Sequence, residues 1–356
     1  MTDKTNIELR TTPHVHAPHD VVTIMRNVVF ASLPMAAWSI WLFGISALLL
    51  LITVLATCLV TERLLNFKAD NTLGDWSAAI TGILLYLTLP PSFPLWMGVV
   101  AGFAAIGMGK VMFGGLGMNV FNPALIGRAF VQAAFPVAIT TWTPAMFDGR
   151  FTTLIPSTLT APFLIPEPVA EFNNQVTVDA FSGATPLALQ KFDGITTPTM
   201  DLFMGMTAGS SGETSSIIIL VCGLYLAFRK MLDWRIPVAV MAGTFITAEL
   251  LQLVNADNPD GLFMLLSGGL MLGAWFMATD MVGSPVTPRG VIFYGVLIGF
   301  VTVIIRVYGG LNEGVMYAIL LGNAATPLID QLTQPRVFGE ARSESGTDNN
   351  TGKKSS

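Results

Sequence analysis

A short polar stretch carries the groups in this chain whose types and spacing could do chemistry: Asp179, Ser182, Gly183, Ala184 and Thr185. It combines an acceptor carboxylate, small residues that allow a sharp turn, and a hydroxyl on a β-branched carbon. Gly183 permits a positive φ and the close approach of another group. The stretch lies within the longest polar segment of a mostly apolar chain, so we expect the remaining residues to form a scaffold that holds it at one surface.

Thr185 precedes Pro186, which favours an extended conformation for the threonine. We therefore expect its hydroxyl to be presented and not buried in a helix. Taken alone, Ser-Gly and Thr-Pro dipeptides are also typical of an ordinary surface turn. The pattern D-x-x-[S/T]-G-A-[S/T], matched here at every fixed position, resembles the recognition motif of flavin transferases, which link FMN through its phosphate to the last residue. The resemblance implies FMN esterified to Thr185.

The composition predicts a membrane protein. Of 356 residues, 52% are hydrophobic and 12% are charged, and the mean hydropathy is +0.63; soluble domains usually have about a quarter charged residues. The polar N-terminus shows no cleavable signal peptide. Cys58 and Cys222 lie within apolar runs, which excludes a disulfide framework and leaves no Cys-based metal pattern. Three histidines near the start favour a solvated tail, and we predict no metal site.

Ten apolar runs are each close to the length that a bilayer requires. The polar stretch between the fifth and the sixth is too long for an ordinary connection and predicts a functional insertion outside the membrane. The ten runs are 27–43, 45–61, 76–89, 93–109, 119–136, 215–228, 236–254, 262–279, 290–306 and 314–330.

Similar residues recur in the two halves of the chain: Gly98 and Gly102 match Gly295 and Gly299 at a constant spacing. Five spans in each half would place the halves in opposite orientations. The predicted fold is an all-α polytopic membrane protein of about ten transmembrane helices in two inverted five-helix repeats, with a long extracytoplasmic loop. The predicted divisions are an N-terminal tail (1–20), a first repeat (21–136), the loop (137–214), a second repeat (215–334) and a disordered tail (335–356).

The positions of the basic residues predict the orientation. With the N-terminus in the cytoplasm, fourteen of the 18 Lys and Arg residues fall on the cytoplasmic side. Arg150, Lys191 and Arg306 fall on the opposite side, and Arg128 lies within a span. This bias places both termini in the cytoplasm and the 137–214 loop outside it, in the periplasm of a Gram-negative host.

Several polar residues lie within or beside the predicted spans. Arg128 needs a partner there, which could be a carboxylate elsewhere in the bundle or a polar ring system such as an isoalloxazine. Asn122 could contact the same ring without a charge. Asp280 is either a cap, a partner for Arg289, or part of a second site in a non-helical segment. Two boundary carboxylates could sense a cation or a proton: Glu249 and Glu313.

The chain from about residue 12 to 339 resembles the D subunit of the Rnf electron-transport complex, and more distantly the B subunit of the Na+-translocating NADH:quinone oxidoreductase. The resemblance is carried by Thr12-Pro13-His14, Asn122-Pro123-Ala124, Arg128-Ala129-Phe130, Ser182-Gly183-Ala184-Thr185, Thr279-Asp280, Ser284-Pro285-Val286-Thr287, Glu313-Gly314-Val315, Asn323 and Pro327-Leu328. Met281 stands where the family often has proline.

The resemblance implies a phosphoprotein of the bacterial inner membrane with two flavins, which are covalent FMN on Thr185 and non-covalent riboflavin towards the cytoplasmic face. Asn122, Arg128 and Asp280 are the candidate contacts of the second flavin. Implied partners are the other membrane subunits, an extracytoplasmic FMN subunit, cytoplasmic iron–sulfur subunits, a flavin transferase and the lipid bilayer, with no nucleic acid.

The implied function is an electron relay between NADH and ferredoxin, coupled to movement of Na+ or H+. The sequence shows no nucleophile with a base and no nucleotide-binding glycine loop, so we expect no complete active site in this chain alone. The alternative is a small-solute transporter or channel, for which a ten-span inverted repeat with broken spans is also suitable. The complete flavin-attachment pattern favours the relay.

Overall fold

A computed structural model describes residues 20–66, 74–164, 166, 169, 172, 184–213 and 215–335. Regular secondary structure in these residues is entirely helical. Asp179, Ser182, Gly183 and the N-terminal histidines lie outside the described residues. Both cysteines are buried as free thiols between helices, as their apolar surroundings predict.

The first half forms five helices. Asp20 caps the first of them, because its carboxylate accepts a hydrogen bond of 2.8 Å from the backbone N–H of Val21. Asn122 caps the fifth in the same way, and Pro123 occupies the first helical position. The helices are α1 (Val21–Phe43), α2 (Ile45–Leu65), α3 (Ser77–Thr88), α4 (Leu95–Gly109) and α5 (Pro123–Ala134).

The second half contains six helices, of which two are the parts of one interrupted span. After Leu272 the second part continues as a π-helical turn, Gly273–Met277. The helices are α6 (Ser216–Phe228), α7 (Arg235–Val254), α8 (Gly261–Leu266), α9 (Leu270–Leu272), α10 (Pro288–Tyr308) and α11 (Val315–Thr333).

Each predicted span coincides with helical structure in the described part of the chain, and five helices are long and apolar enough to cross a membrane. The predicted span at 262–279 is helical but interrupted. Ser267 and the two glycines after it leave the helical conformation, and Gly268 has a φ of 66°. Glycine tolerates this backbone, so the sequence permits a break between α8 and α9. The total of ten spans and the inverted repeat stay predictions.

The repeated glycines lie at matching helix contacts in the two halves. A Cβ on Gly102 of α4 would lie 3.1 Å from Thr57 Cβ of α2, and one on Gly299 of α10 would lie 2.5 Å from Thr244 N of α7. Absence of a side chain lets the helix backbones approach closely, as in many membrane helix pairs. Each of these two glycines therefore lies at a close contact between two helices, α2 with α4 and α7 with α10.

Parts of the polar insertion are fastened to the helices. Arg150 Nε donates to Trp41 O over 2.9 Å, and Arg150 O accepts from Ile45 N over 2.9 Å, across the turn at Gly44. Lys191 Nζ donates to Arg306 O over 2.9 Å near the end of α10. Short helical segments in the connections are Val111–Phe113, Pro136–Ile139, Pro186–Ala188, Leu189–Asp193 and Thr199–Met204.

Candidate functional site

Thr185 is extended, as its position before proline predicts, with φ −69° and ψ 154°. Its hydroxyl oxygen accepts a hydrogen bond of 3.2 Å from Ala188 N and so caps a short helical turn. The expectation that this hydroxyl is presented to solvent is wrong, because Thr185 is only 3% exposed. Pro186 and Leu187, which follow it, are buried as well.

The hydroxyl of Thr185 is chemically suited to a phosphoester. Among the described residues it serves as an acceptor of a hydrogen bond, and an esterified oxygen keeps a lone pair for that contact. Replacing its hydrogen with a phosphoryl group would therefore leave the capping contact possible. Ala184 precedes it in a bend, while the other three residues of the motif lie outside the described part of the chain.

A second feature is a cavity of about 100 Å³ between the two halves of the protein. Apolar side chains such as Leu84, Trp275 and Phe276 form most of its wall, with several polar groups between them. Ligand pockets commonly have this mixture of surfaces. The polar residues of the wall are Ser77, Thr81, Lys110, Asn119, Asn122, Thr279 and Asp280.

Asn122 and Asp280, two of the three predicted contacts of a second flavin, both line this cavity. Asn122 joins the two halves, because its amide donates to Met277 O over 3.3 Å while its oxygen caps α5 through Ala124 N. Asp280 lies in a non-helical connection, as predicted, and accepts a hydrogen bond of 3.2 Å from Val282 N.

Two opposing effects act on the pKa of the Asp280 carboxyl group. Burial raises the pKa of its carboxyl, while hydrogen bonds from Val282 N and the Asn119 side chain lower it. No ion pair with Arg289 occurs among the described residues. Asp280 is therefore a cap whose carboxyl group also borders the cavity, and its contact with a flavin stays a prediction.

Arg128, the third predicted contact of a second flavin, does not line this cavity. Its Nη2 donates to Glu313 Oε2 over 2.8 Å and its Nη1 donates to Thr88 O, and the residue is 7% exposed. This contact is the buried carboxylate pair that we gave as one of two expectations. Arg128 is not among the residues lining the cavity, so its predicted contact with a flavin has no support from that cavity.

Sequence reasoning missed the charged pair at the cavity wall. Lys110 Nζ donates to Glu62 Oε1 and Ser77 Oγ, and it lies 3.8 Å from Asp75 Oδ2. Lys110 is 3% and Glu62 0% exposed. In the sequence both appear as ordinary charges at the ends of apolar runs. Because they lie 48 positions apart, no local pattern could have paired them.

The wall of the cavity combines the two kinds of surface that the predicted isoalloxazine ring would need. Trp275 and Phe276 provide apolar surface for the rings, and Asn119, Asn122 and Lys110 provide polar groups for an edge with carbonyls and ring nitrogens. Helices of both halves contribute to the wall. The fold is thus that of a multi-pass helical membrane protein, and its two predicted flavin sites stay predictions.

Comparison with known proteins gives the family. The chain belongs to the NQR2, RnfD, RnfE family, which it matches over residues 8–339. The resemblance to the D subunit of the Rnf complex is thereby confirmed. This membership also favours an oxidoreductase component over the transporter or channel that we gave as the alternative.

Three similar relatives cover nearly the whole chain, and each is the D subunit of its complex. The relative from the Na(+)-translocating ferredoxin:NAD(+) oxidoreductase complex of Acetobacterium woodii is 39% identical over 340 residues, covering 94% of this chain and 96% of that protein. Its proton-translocating counterpart of Clostridium ljungdahlii is 39% identical over 349 residues, covering 94% and 96%. The relative from the ion-translocating oxidoreductase complex of Alcanivorax borkumensis is 36% identical, covering 95% and 98%.

Proposed function

We propose that this chain is the D-type membrane component of an ion-translocating ferredoxin:NAD oxidoreductase complex, in which it relays electrons through FMN esterified to Thr185. The observation that carries the proposal is the complete attachment motif ending at Thr185 in a chain of this family. When bound, the flavin supplies reversible uptake of electrons. The chain supplies its position and its electrostatic surroundings.

The cavity between the two halves is the proposed site of a second, non-covalent flavin, riboflavin. Trp275 and Phe276 would pack against its ring, and Asn119 and Asn122 would hydrogen bond to its polar edge. Lys110 would place a positive charge at that edge, which favours extra electron density on the ring. Glu62 and Asp75 hold the ammonium group in place.

The two proposed flavin positions lie at opposite ends of one segment. Leu187, two residues after Thr185, lies against Gly268 at the start of the segment, since its Cδ1 is 2.7 Å from where a Cβ of Gly268 would be. The segment then leads through α9 to Trp275 and Met277 at the cavity. At a rise of about 1.5 Å per residue, its ends are on the order of 13 Å apart. A short segment of the bundle thus connects the two positions.

The proposed location is the bacterial inner membrane, with both termini in the cytoplasm and the 137–214 loop on the opposite side. The distribution of Lys and Arg supports this orientation. The proposed partners are the other membrane subunits, an extracytoplasmic FMN subunit, cytoplasmic iron–sulfur subunits and, during maturation, a flavin transferase. The names of the relatives support membership of a multi-subunit complex.

The decisive experiment is ultraviolet fluorescence in a denaturing gel, with the protein co-expressed with an active flavin transferase. We expect a fluorescent band for the wild type and a dark band for Thr185→Val, because valine keeps the shape but lacks the oxygen that forms the phosphoester. Thr196→Val is the matched control, since Thr196 is an exposed threonine of the same connection, and it should stay fluorescent.

A fluorescent Thr185→Val band would show that the attachment point is another residue. A dark wild-type band, obtained while the same transferase labels a known acceptor protein, would overturn the proposal of covalent FMN.

A further inference from the structure

Four charged side chains gather at the break between α8 and α9, away from the cavity. We call Arg128, Glu213, Arg306 and Glu313 the charged cluster. A Cβ on Gly268 would lie 2.8 Å from Glu313 Oε1 and 2.9 Å from Arg306 Nη2. The cluster therefore surrounds the glycine at which the helix is interrupted.

Two members of the cluster hold the free ends of the broken helix. Arg306 donates from Nη1 to Met264 O over 2.6 Å and from Nη2 to Ser267 O over 3.0 Å, at the end of α8. Glu313 Oε1 accepts from Gly269 N over 2.9 Å, at the start of α9. A cation at a helix C-terminus and an anion at an N-terminus are both favourable. These contacts explain why both charges are buried here.

Glu213 forms no hydrogen bond with either end of the broken helix among the described residues. Ser210 N lies 3.4 Å from Glu213 Oε2, while Glu213 Oε1 is buried and has no hydrogen-bond donor in the described structure. The described residues show no ion pair between Glu213 and Arg128 or Arg306 within 4.0 Å. Its carboxyl group lies beside that of Glu313, because a Cβ on Gly269 would be 3.4 Å from Glu213 Oε1 and 3.8 Å from Glu313 Oε1.

A hydrogen bond between two carboxyl groups requires a proton, because ionised carboxylates only accept. Burial, followed by the nearby charge of Glu313, raises the pKa of Glu213 well above its usual range. Glu313 is held ionised by Arg128 Nη2 at 2.8 Å. Glu213 is therefore the carboxyl group that carries the proton.

The charges facing this proton come from every neighbouring segment. Arg128 comes from α5, Arg306 from α10 and Glu313 from the connection before α11, while the loop before α6 adds Ser210. Each arginine is more than nine-tenths buried and leaves its Nε without a partner in the described structure. Two arginines and a carboxyl pair with one proton have a net charge of +1, which falls to zero when the proton leaves.

We propose that Glu213 and Glu313 form a binding site for one exchangeable proton, and that the charge of the flavin on Thr185 controls its occupancy. The second half of this statement rests on the proposed function. Leu187, two residues after Thr185, contacts the same glycine as the cluster. A flavin held at Thr185 would carry more negative charge after taking an electron from a redox partner of the complex, and this charge would favour the positive form of the cluster. Glu213 would then hold one proton taken from water, and it would release that proton to water once the electron had passed to the next redox partner.

The proton is tested first, by infrared difference spectroscopy of the full-length protein in lipid nanodiscs during a pH titration. We expect a carboxylic acid C=O band that shifts in D2O and is lost in Glu213→Gln. Glu249→Gln is the matched control, because Glu249 also lies near a helix boundary but accepts from Gly261 N over 3.0 Å. That variant should keep the band. Glu213→Asp, which retains a carboxyl group, should restore a titrating band at another frequency.

The same band in the wild type and in Glu213→Gln would overturn the proposal, since the band would then come from another group. Absence of the band from the wild type would also overturn it, because both carboxylates would then be ionised in a salt-bridge network. Loss of the wild-type band on addition of Na+ at constant pH would overturn it too, and would assign the pair to a monovalent cation. None of these infrared results depends on a bound flavin.

The link to the flavin is tested by the pH dependence of its midpoint potential. We expect the wild-type potential to fall with rising pH, because reduction takes up a proton, and we expect a much smaller slope in Glu213→Gln. Equal slopes would overturn the link while leaving the proton site intact. Absence of in-gel fluorescence would reject the covalent FMN instead, so the two failures are distinguishable.

Discussion

The protein contains two buried groups of charges that differ in how they are balanced. At the cavity, Lys110 meets Glu62 and lies 3.8 Å from Asp75, so one cation serves two carboxylates. In the charged cluster, Arg306 donates to backbone carbonyls and two carboxyl groups meet each other. The first arrangement pairs both carboxylates with one ammonium group, although Glu62 Oε2 has no hydrogen-bond partner in the described structure. The second leaves one carboxyl group that is satisfied only when a proton is present.

Buried charges can therefore serve two purposes in the same helix bundle: to stabilise the structure, or to bind and release a proton. A directly paired ion can be part of a permanent wall, because every change in its protonation is costly. A carboxyl group beside another carboxylate changes its protonation with small changes in nearby charge. The following variants test this contrast, from the largest expected effect to the smallest.

The largest effect is expected for Glu62→Ala. It leaves the ammonium group of Lys110 buried without its closest partner, and breaking a buried pair in this way usually costs about 3–5 kcal/mol. We expect a much lower apparent melting temperature, measured by tryptophan fluorescence in detergent. Arg289→Ala, which removes an exposed charge, should change stability by less than about 0.5 kcal/mol. Equal melting of the two variants would contradict the role of the pair.

The second largest loss of stability is expected at one of the two carboxyl groups of the charged cluster, with a smaller loss at the other. Glu313→Gln removes the charge that Arg128 and Gly269 N contact, and we expect a loss of about 2–3 kcal/mol, as for hydrogen bonds to charged groups. Glu213→Gln replaces a protonated carboxyl group with an amide of similar shape, so its cost should stay below about 1 kcal/mol. Melting curves at neutral pH check this order. A Glu213→Gln protein that is the less stable of the two would show that Glu213 is ionised.

The smallest effect is expected for Ile80→Trp, which adds bulk to the cavity wall. We expect roughly tenfold weaker retention of non-covalent flavin, equivalent to about 1.4 kcal/mol. Chromatography of flavin released by acid measures this retention. In-gel fluorescence should not change, because Ile80 does not line the Thr185 region. Leu64→Trp, at a position that is 67% exposed, is the control. Unchanged flavin release from Ile80→Trp would remove the cavity as the second flavin site.

Much of the helical scaffold could be predicted from the sequence, because a long apolar run in a polytopic chain has few alternatives to a helix. The break at Ser267-Gly268-Gly269 was missed, since single glycines are common in spans and hydropathy does not register them. The break can be recognised only once the φ of Gly268 and the charged residues around it are known. Whether a helix breaks at a glycine depends on whether other groups can form hydrogen bonds with the freed backbone.

The candidate site was predicted only in part, because a sequence carries local signals but does not show which distant residues meet. Asn122 precedes Pro123, and Asp280 precedes a stretch with two glycines and two prolines at 283–290. These local signals marked both residues, and the structure shows that they line one cavity. Arg128 had two possible partners, and the structure shows Glu313, which is 185 positions away. The pair of Lys110 with Glu62 and the meeting of Glu213 with Glu313 depend on tertiary packing alone. A single sequence does not record such distances.

The capped, buried hydroxyl of Thr185 has a consequence for biogenesis. A modifying enzyme cannot reach an oxygen that is enclosed in its final contacts, so the proposed attachment of FMN would have to take place while this segment is still undocked. Docking and modification would then be in kinetic competition, and each newly inserted chain would have a limited period in which it could mature. A cell that makes the transferase too late would accumulate correctly inserted but permanently unmodified subunits.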